Sequence, residues 1–140
     1  MKINKKGFTL IELLVVVSLI GILATLVIAN MNSARERARD ATRKSDLRNI
    51  QTALRLYYND NGGYPAAAVL PEWGEAWTPY MNILPADPLA DQTYVYTVVV
   101  GGEDYTLSSC LENKSDDKCT DVAESVCAST CKYEVRPWIN

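Results

Sequence analysis

The stretch Lys5 to Ala29, KKGFTLIELLVVVSLIGILATLVIA, constrains the chain more than any other. From Phe8 to Ala29 it is apolar apart from a single charge, Glu12, and Lys2, Lys5 and Lys6 precede it. A helix over that stretch is about 30 Å long, the thickness of one bilayer core. It cannot belong to a soluble core. What remains of the 140 residues suffices for one modest domain. An ordinary signal peptide, cut after Val27-Ile28-Ala29, is the rival reading, but its apolar region usually spans only ~7–15 residues.

Glu12 is the anomaly. A carboxylate within a membrane helix costs about 2.5–3.5 kcal/mol on insertion scales, so such a group finds a partner or serves a function. The order Lys-Lys-Gly-Phe-Thr-Leu-Ile-Glu, Lys5 to Glu12, resembles the prepilin signature of type IV pilins and of the pseudopilins of type II secretion systems. In that family a short basic leader is cut after a Gly, the new N-terminus is methylated, and a Glu follows within one helical turn. Carried over, the resemblance implies that Gly7 ends the leader, Phe8 becomes the N-methylated first residue, and Glu12 is the assembly acid. The cleaved Phe8 amine, with a pKa near ~7.7–8.0, is charged at neutral pH. In a filament it can neutralise a neighbour's Glu12, and a buried ion pair of that kind enforces register because breaking it is costly.

The expected organisation is a leader over 1–7, a transmembrane and assembly helix over 8–29, an amphipathic continuation over 30–58, and a globular part over 59–140. Residues 30–58 lack Pro and Gly and are rich in good helix formers. Asn61-Gly62-Gly63-Tyr64-Pro65 is a stop signal. A continuous helix from Phe8 to Tyr58 is roughly 75 Å long. The family often carries Pro where this chain has Ala29, so a straighter helix is expected, with Gly21 its remaining weak point. Leu47, Ile50, Leu54 and Tyr57 form a bulky stripe suited to a sheet. Ala34, Ala38, Ala41 and Ser45 form a small one, suited to close helix approach or simply to a solvated surface. Glu36 can pair with Arg39, and Asp40 with Arg43 and Lys44. The cations from Arg35 to Arg48 otherwise read as a solvated face.

Beyond the stop, Pro65, Pro71, Pro79, Pro85 and Pro88 mark an irregular connection containing Trp73 and Trp77, with a short helix expected over Glu72 to Asn82. Thr93 to Val100 reads as a strand, Gly101-Gly102 as a turn, Tyr105 to Leu111 as a second strand and Lys132 to Val135 as a third. The fold class is α+β: a long N-terminal helix on a small antiparallel sheet.

The four cysteines, Cys110, Cys119, Cys127 and Cys131, favour disulfides in an oxidising compartment, with three pairings open. Zinc is the weaker reading, since no C-x2-C pair occurs. The absence of His removes His-based catalysis, and no G-x-S-x-G or phosphate-cradling loop appears, so an enzyme is not expected. The net charge of −3 points to no nucleic-acid partner.

The resemblance extends through LYYNDNGGYP and LPADP to about residue 110. It implies a subunit of a type IV pilus-like filament, or alternatively a major pseudopilin of a type II secretion system. Its implied partners are copies of itself, a prepilin peptidase and methyltransferase, an assembly machine and, before assembly, membrane lipid. The implied location is the inner membrane, single-pass with a cytoplasmic N-terminus, then an extracellular or periplasmic filament. Charge alone favours the opposite topology, because Arg35 to Arg48 outnumber the leader lysines; the leader motif and the distal cysteines decide for the first. Major pseudopilins bind calcium in a loop after the sheet, and Asp116 and Asp117 stand at the comparable place. Two adjacent acids flanked by Lys114 and Lys118 favour a solvated loop without a cofactor. The rival of a different class is a secreted or membrane-anchored disulfide-bonded binding domain, with its site on the Trp73/Trp77 loop.

Overall fold

The structure, a computed structural model, describes residues 7–122, 127 and 131–137, with backbone only at positions 29 and 30. The leader residues 1–6 lie outside the described part. The chain divides into two compact units, Met1–Arg35 and Glu36–Asn140, with the division inside helix α1, Leu10–Asn61. The helix runs unbroken through Gly21 and position 29. Gly62 ends it in the left-handed region (φ 75°), its N–H donating to Tyr58 O at 2.8 Å, a backbone state that glycine adopts without steric cost.

In the unit Glu36–Asn140 a four-stranded antiparallel sheet has the order β1-β2-β4-β3, with β1 Val95–Val98, β2 Tyr105–Cys110, β3 Thr120–Asp121 and β4 Cys131–Val135. The register sets Tyr96 opposite Leu107 and Ser109 opposite Tyr133. Three strands lie where β-branched and aromatic runs predict them, each trimmed by a residue or more or shifted at one end. β3 is too short to carry a pattern.

The bulky stripe meets its expected partner. Leu47, Ile50 and Leu54 are fully buried in one cluster with Tyr105, Leu107, Leu111 and Tyr133. Each such aliphatic side chain contributes about 1.5–3 kcal/mol on burial. Trp77, Leu84 and Tyr94 complete the cluster from the connection after α1. No helix forms over Glu72 to Asn82. Gly74, at φ 96°, and Pro79 interrupt it, and Trp77 to Met81 makes a tight turn closed by Trp77 N–H to Met81 O at 3.0 Å. Trp77 then stacks on Tyr57, with ring centroids 5.8 Å apart.

The β1–β2 turn leans on the helix stop. Gly102, at φ 73°, accepts a hydrogen bond from Tyr64 N–H at 2.8 Å, and a Cβ at Gly102 would lie 2.9 Å from Tyr64 O. Only glycine permits that approach.

Candidate assembly segment and polar clasp

In the unit Met1–Arg35 the helix is long and apolar enough to cross a membrane, and its apolar window buries nothing within the chain. Phe8 is 83% exposed and Leu10 81%. The two hydroxyls inside this segment are satisfied by the helix itself: Ser18 donates to Leu14 O and Thr25 to Ile22 O, each at 2.7 Å. That is what a helix in lipid requires of its polar groups.

Glu12 is held locally. Thr9 N–H and the Thr9 hydroxyl donate to Glu12 Oε2 at 2.8 and 2.7 Å, and Glu12 N–H donates to Thr9 Oγ1 at 3.3 Å. With α1 starting at Leu10, Thr9 is the N-cap and Glu12 the third helical residue, a reciprocal capping box. Thr9-Leu10-Ile11-Glu12 carries the sequence signal for it, which the membrane-acid reading overshadows. The acid carried over from the resemblance thus also starts the helix. Gly7 and Phe8 precede this box in an exposed, non-helical stretch.

In the unit Glu36–Asn140 the cations of α1 divide: Arg37 and Arg48 stand exposed, as a solvated face requires, while Arg39, Arg43 and Lys44 turn inward to acids. Arg43 is completely buried. Its Nε and Nη2 reach the two oxygens of Asp87 at 2.8 Å each, and its Nη1 donates to Asp40 Oδ1 at 2.8 Å and to Glu112 Oε1 at 2.7 Å. Asp40 also accepts the backbone N–H of Glu112 and of Asn113, at 3.0 and 2.8 Å. Arg39 grips the Glu112 carboxylate from the other side, with Nε to Oε1 at 2.7 Å. The Asp40–Arg43 pair is the expected one; Arg39 takes Glu112 and Lys44 takes Asp116. This clasp ties the helix to the connection before β1 and to the loop after β2. Hydrogen bonds from Arg39 hold the Glu112 carboxyl far down, at about 2. Burial pulls the Arg43 guanidinium down, and its three carboxylate partners more than offset that and raise it. Burial pushes the Asp46 carboxyl up, although it accepts the Tyr94 hydroxyl at 2.8 Å.

The cysteines pair as Cys110–Cys127 and Cys119–Cys131, resolving the three pairings. They staple the end of β2 and the start of β4 to the loop between. Each closed loop, of 17 and 12 residues' separation, restricts the unfolded chain by about 3 kcal/mol.

Asp116 and Asp117 do not gather further donors. Both Asp116 oxygens face Lys44 Nζ, Asp117 is exposed, and no cluster of three or more metal-binding side chains occurs among the described residues. A calcium ion takes about six to eight oxygens; these two acids supply only part of such a set, and Lys44 engages both oxygens of Asp116. Of the two tryptophans in the connection after α1, Trp77 is spent on the core. Trp73 packs edge-on against Tyr94, ring centroids 5.6 Å apart, and lines a groove of about 300 Å³.

Comparison with known proteins falls on the same two segments. The prokaryotic N-terminal methylation motif matches residues 2–28, and the type II secretion system (T2SS), protein G model matches residues 30–123. The type II secretion system core protein G of Escherichia coli is 34% identical over 112 residues, covering 71% of this chain and 75% of that protein. The Pseudomonas aeruginosa core protein G is 43% identical over 63 residues, 45% of this chain and 44% of that protein. A type IV wide pilus major component of Thermus thermophilus is 44% identical over 61 residues, 44% of this chain and 47% of its own length. No solved structure matches. With the protein G model spanning most of its length and the methylation motif preceding it, the chain belongs to the type II secretion system protein G family.

Proposed function

We propose that this chain is the structural subunit of a type IV pilus-like helical filament, stored in the inner membrane as a precursor and polymerised through its N-terminal helix. The family is structural rather than enzymatic, and its relatives are components of secretion or pilus machinery. One observation carries the reading: the apolar surface of the segment after Gly7 is exposed all round, interrupted by one acid held at its start. Lipid covers that surface before assembly, and identical helices cover it afterwards. A prepilin peptidase cuts after Gly7 and methylates Phe8; the new amine then competes with Thr9 for a neighbour's Glu12. The N-terminus is cytoplasmic, which puts the two disulfides on the oxidising side. The chain itself performs no catalysis. Lys44 on Asp116 supports a cofactor-free loop.

The second reading is a major pseudopilin of a type II secretion system, favoured by the protein G match over residues 30–123. The disulfide-stapled region after β2 favours a surface pilus, since an exposed filament benefits from covalent bracing. Immunolabelled electron microscopy decides between them. The pilus reading expects labelled surface filaments that vanish without the assembly ATPase. Retention of secreted proteins in a deletion strain, with bare surfaces in the wild type, indicates the pseudopilus. Labelled material free of filaments and of membrane, starting at Asn30, indicates the secreted binding domain instead.

A further inference from the structure

Charge is segregated along this chain. Between Arg55 and Lys114 there is no Lys or Arg, while Asp60, Glu72, Glu75, Asp91, Glu103 and Asp104 all stand exposed there. In the sheet order β1-β2-β4-β3, that acidic part includes edge strand β1 and the loop lying along it: Leu70, Glu72 and Trp73 line one groove with Val95 and Tyr96. Val69, Ile83 and Val95 are exposed on the same acidic part, at 55%, 61% and 53%. Toward the other edge of the sheet is a pocket of about 490 Å³ walled by Tyr133, Val135 and Pro137 and rimmed by Arg48, Lys118 and Arg136. Gln51 closes its floor by donating to Arg136 O at 2.6 Å. Arg136 shares Glu134 with Lys132. Among the described residues no ion pair involves Arg48, Lys118, Glu72 or Glu75.

We infer that the acidic β1 edge of one copy, through Glu72 and Glu75, docks on the Arg48/Lys118 pocket of a second copy. The occupant is a second copy because the same chain supplies both complements: apolar side chains beside the unpaired acids Glu72 and Glu75 on one edge, apolar walls beside the unpaired cations Arg48 and Lys118 toward the other. Two different patches on different edges make a heterologous contact, which repeats into an open helical polymer rather than closing as a dimer. Such a contact sets partner orientation and encounter rate more than raw affinity, so it complements the apolar helices, which hold a filament together without fixing the angle of its outer units. The inference rests on the filament reading.

The test uses the full chain in its assembly system. Arg48→Glu with Lys118→Glu, and separately Glu72→Lys with Glu75→Lys, should each lower filament yield by about tenfold or more, because like charges then face each other. The chain carrying all four substitutions should recover to within about threefold of wild type. Circular dichroism of each variant checks that it folds. Independently, a carbodiimide joins touching carboxylates and amines in wild-type filaments grown from mixed isotope-labelled and unlabelled copies. The expected product links Lys118 of one copy to Glu72 or Glu75 of another. Wild-type filaments whose Lys118 links only elsewhere, or within its own copy, or to a different protein, overturn the contact, as does normal yield from both edge variants. A wild-type chain that forms no filament overturns the filament reading and this contact with it.

Discussion

Glu12 Oε2 accepts hydrogen bonds from both the backbone N–H and the hydroxyl of Thr9. The acid that filament assembly is proposed to use is therefore already employed in the single chain, closing the first turn of α1. In the proposed assembly the Phe8 amine of a neighbour has to share or displace Thr9.

Two substitutions separate these roles. Glu12→Ala should leave the chain membrane-inserted but unable to polymerise. Thr9→Val should cost about 1 kcal/mol of helix capping and speed amide exchange at Glu12 and Leu13 roughly fivefold in detergent, while filaments still form. Hydrogen exchange and filament yield are the readouts, and equal yields from Glu12→Ala and wild type would refute the assembly role.

Arg43 should be the most sensitive side chain of the clasp. Arg43→Met leaves Asp40 and Asp87 buried without their cation, at a cost of about 3–5 kcal/mol. Near-ultraviolet circular dichroism during urea unfolding should show the loss, with the signals of Trp77 and Tyr94 reporting the core. Arg43→Lys should not restore stability, because an ammonium cannot grip Asp87 with two parallel bonds.

The clasp also fixes the response to acid. The Glu112 carboxyl lies at about 2 against an ordinary 4.5, so the unfolded chain takes up its proton first. Its contribution is complete above pH 4.5 and disappears as pH falls through about 2. Asp116 and Glu134, lowered by Lys44 and Lys132, act in the same direction. The melting temperature should therefore fall across that window, and more shallowly in Glu112→Gln, as followed by circular dichroism.

Gly102 carries the contact between hairpin and helix stop. Gly102→Ala places a methyl 2.9 Å from Tyr64 O at positive φ, which should cost about 1–3 kcal/mol. Gly74→Ala, also at positive φ but with nothing within 4 Å, carries the backbone strain without the clash. Urea unfolding of both should rank Gly102→Ala lower.

Much of this architecture is legible in the sequence because it is local. The helix shows as an unbroken run of formers ending in Gly-Gly, and its buried face as Leu47, Ile50 and Leu54. The hairpin shows as two apolar runs flanking Gly101-Gly102. The fates of the charges are not local. Arg43 is buried only because Asp87 and Glu112 arrive from 44 and 69 residues away, and its neighbours on the helix give no hint of that. Lys44 prefers distant Asp116 to adjacent Asp40 for the same reason. Trp77 reads equally well as a ligand platform and as core until Tyr57 and Tyr80 are placed beside it. The Thr9–Glu12 box is local and readable, but a carboxylate in an apolar run draws attention to the membrane before it draws attention to helix capping.

The most direct test is the intact mass of the subunit in purified filaments, with its N-terminal peptide sequenced. The account predicts filaments built of a chain that begins at N-methylated Phe8 and retains the whole apolar helix. Filaments whose subunits keep residues 1–7, or a mature chain that lacks the segment from Phe8 to Ala29, would contradict it.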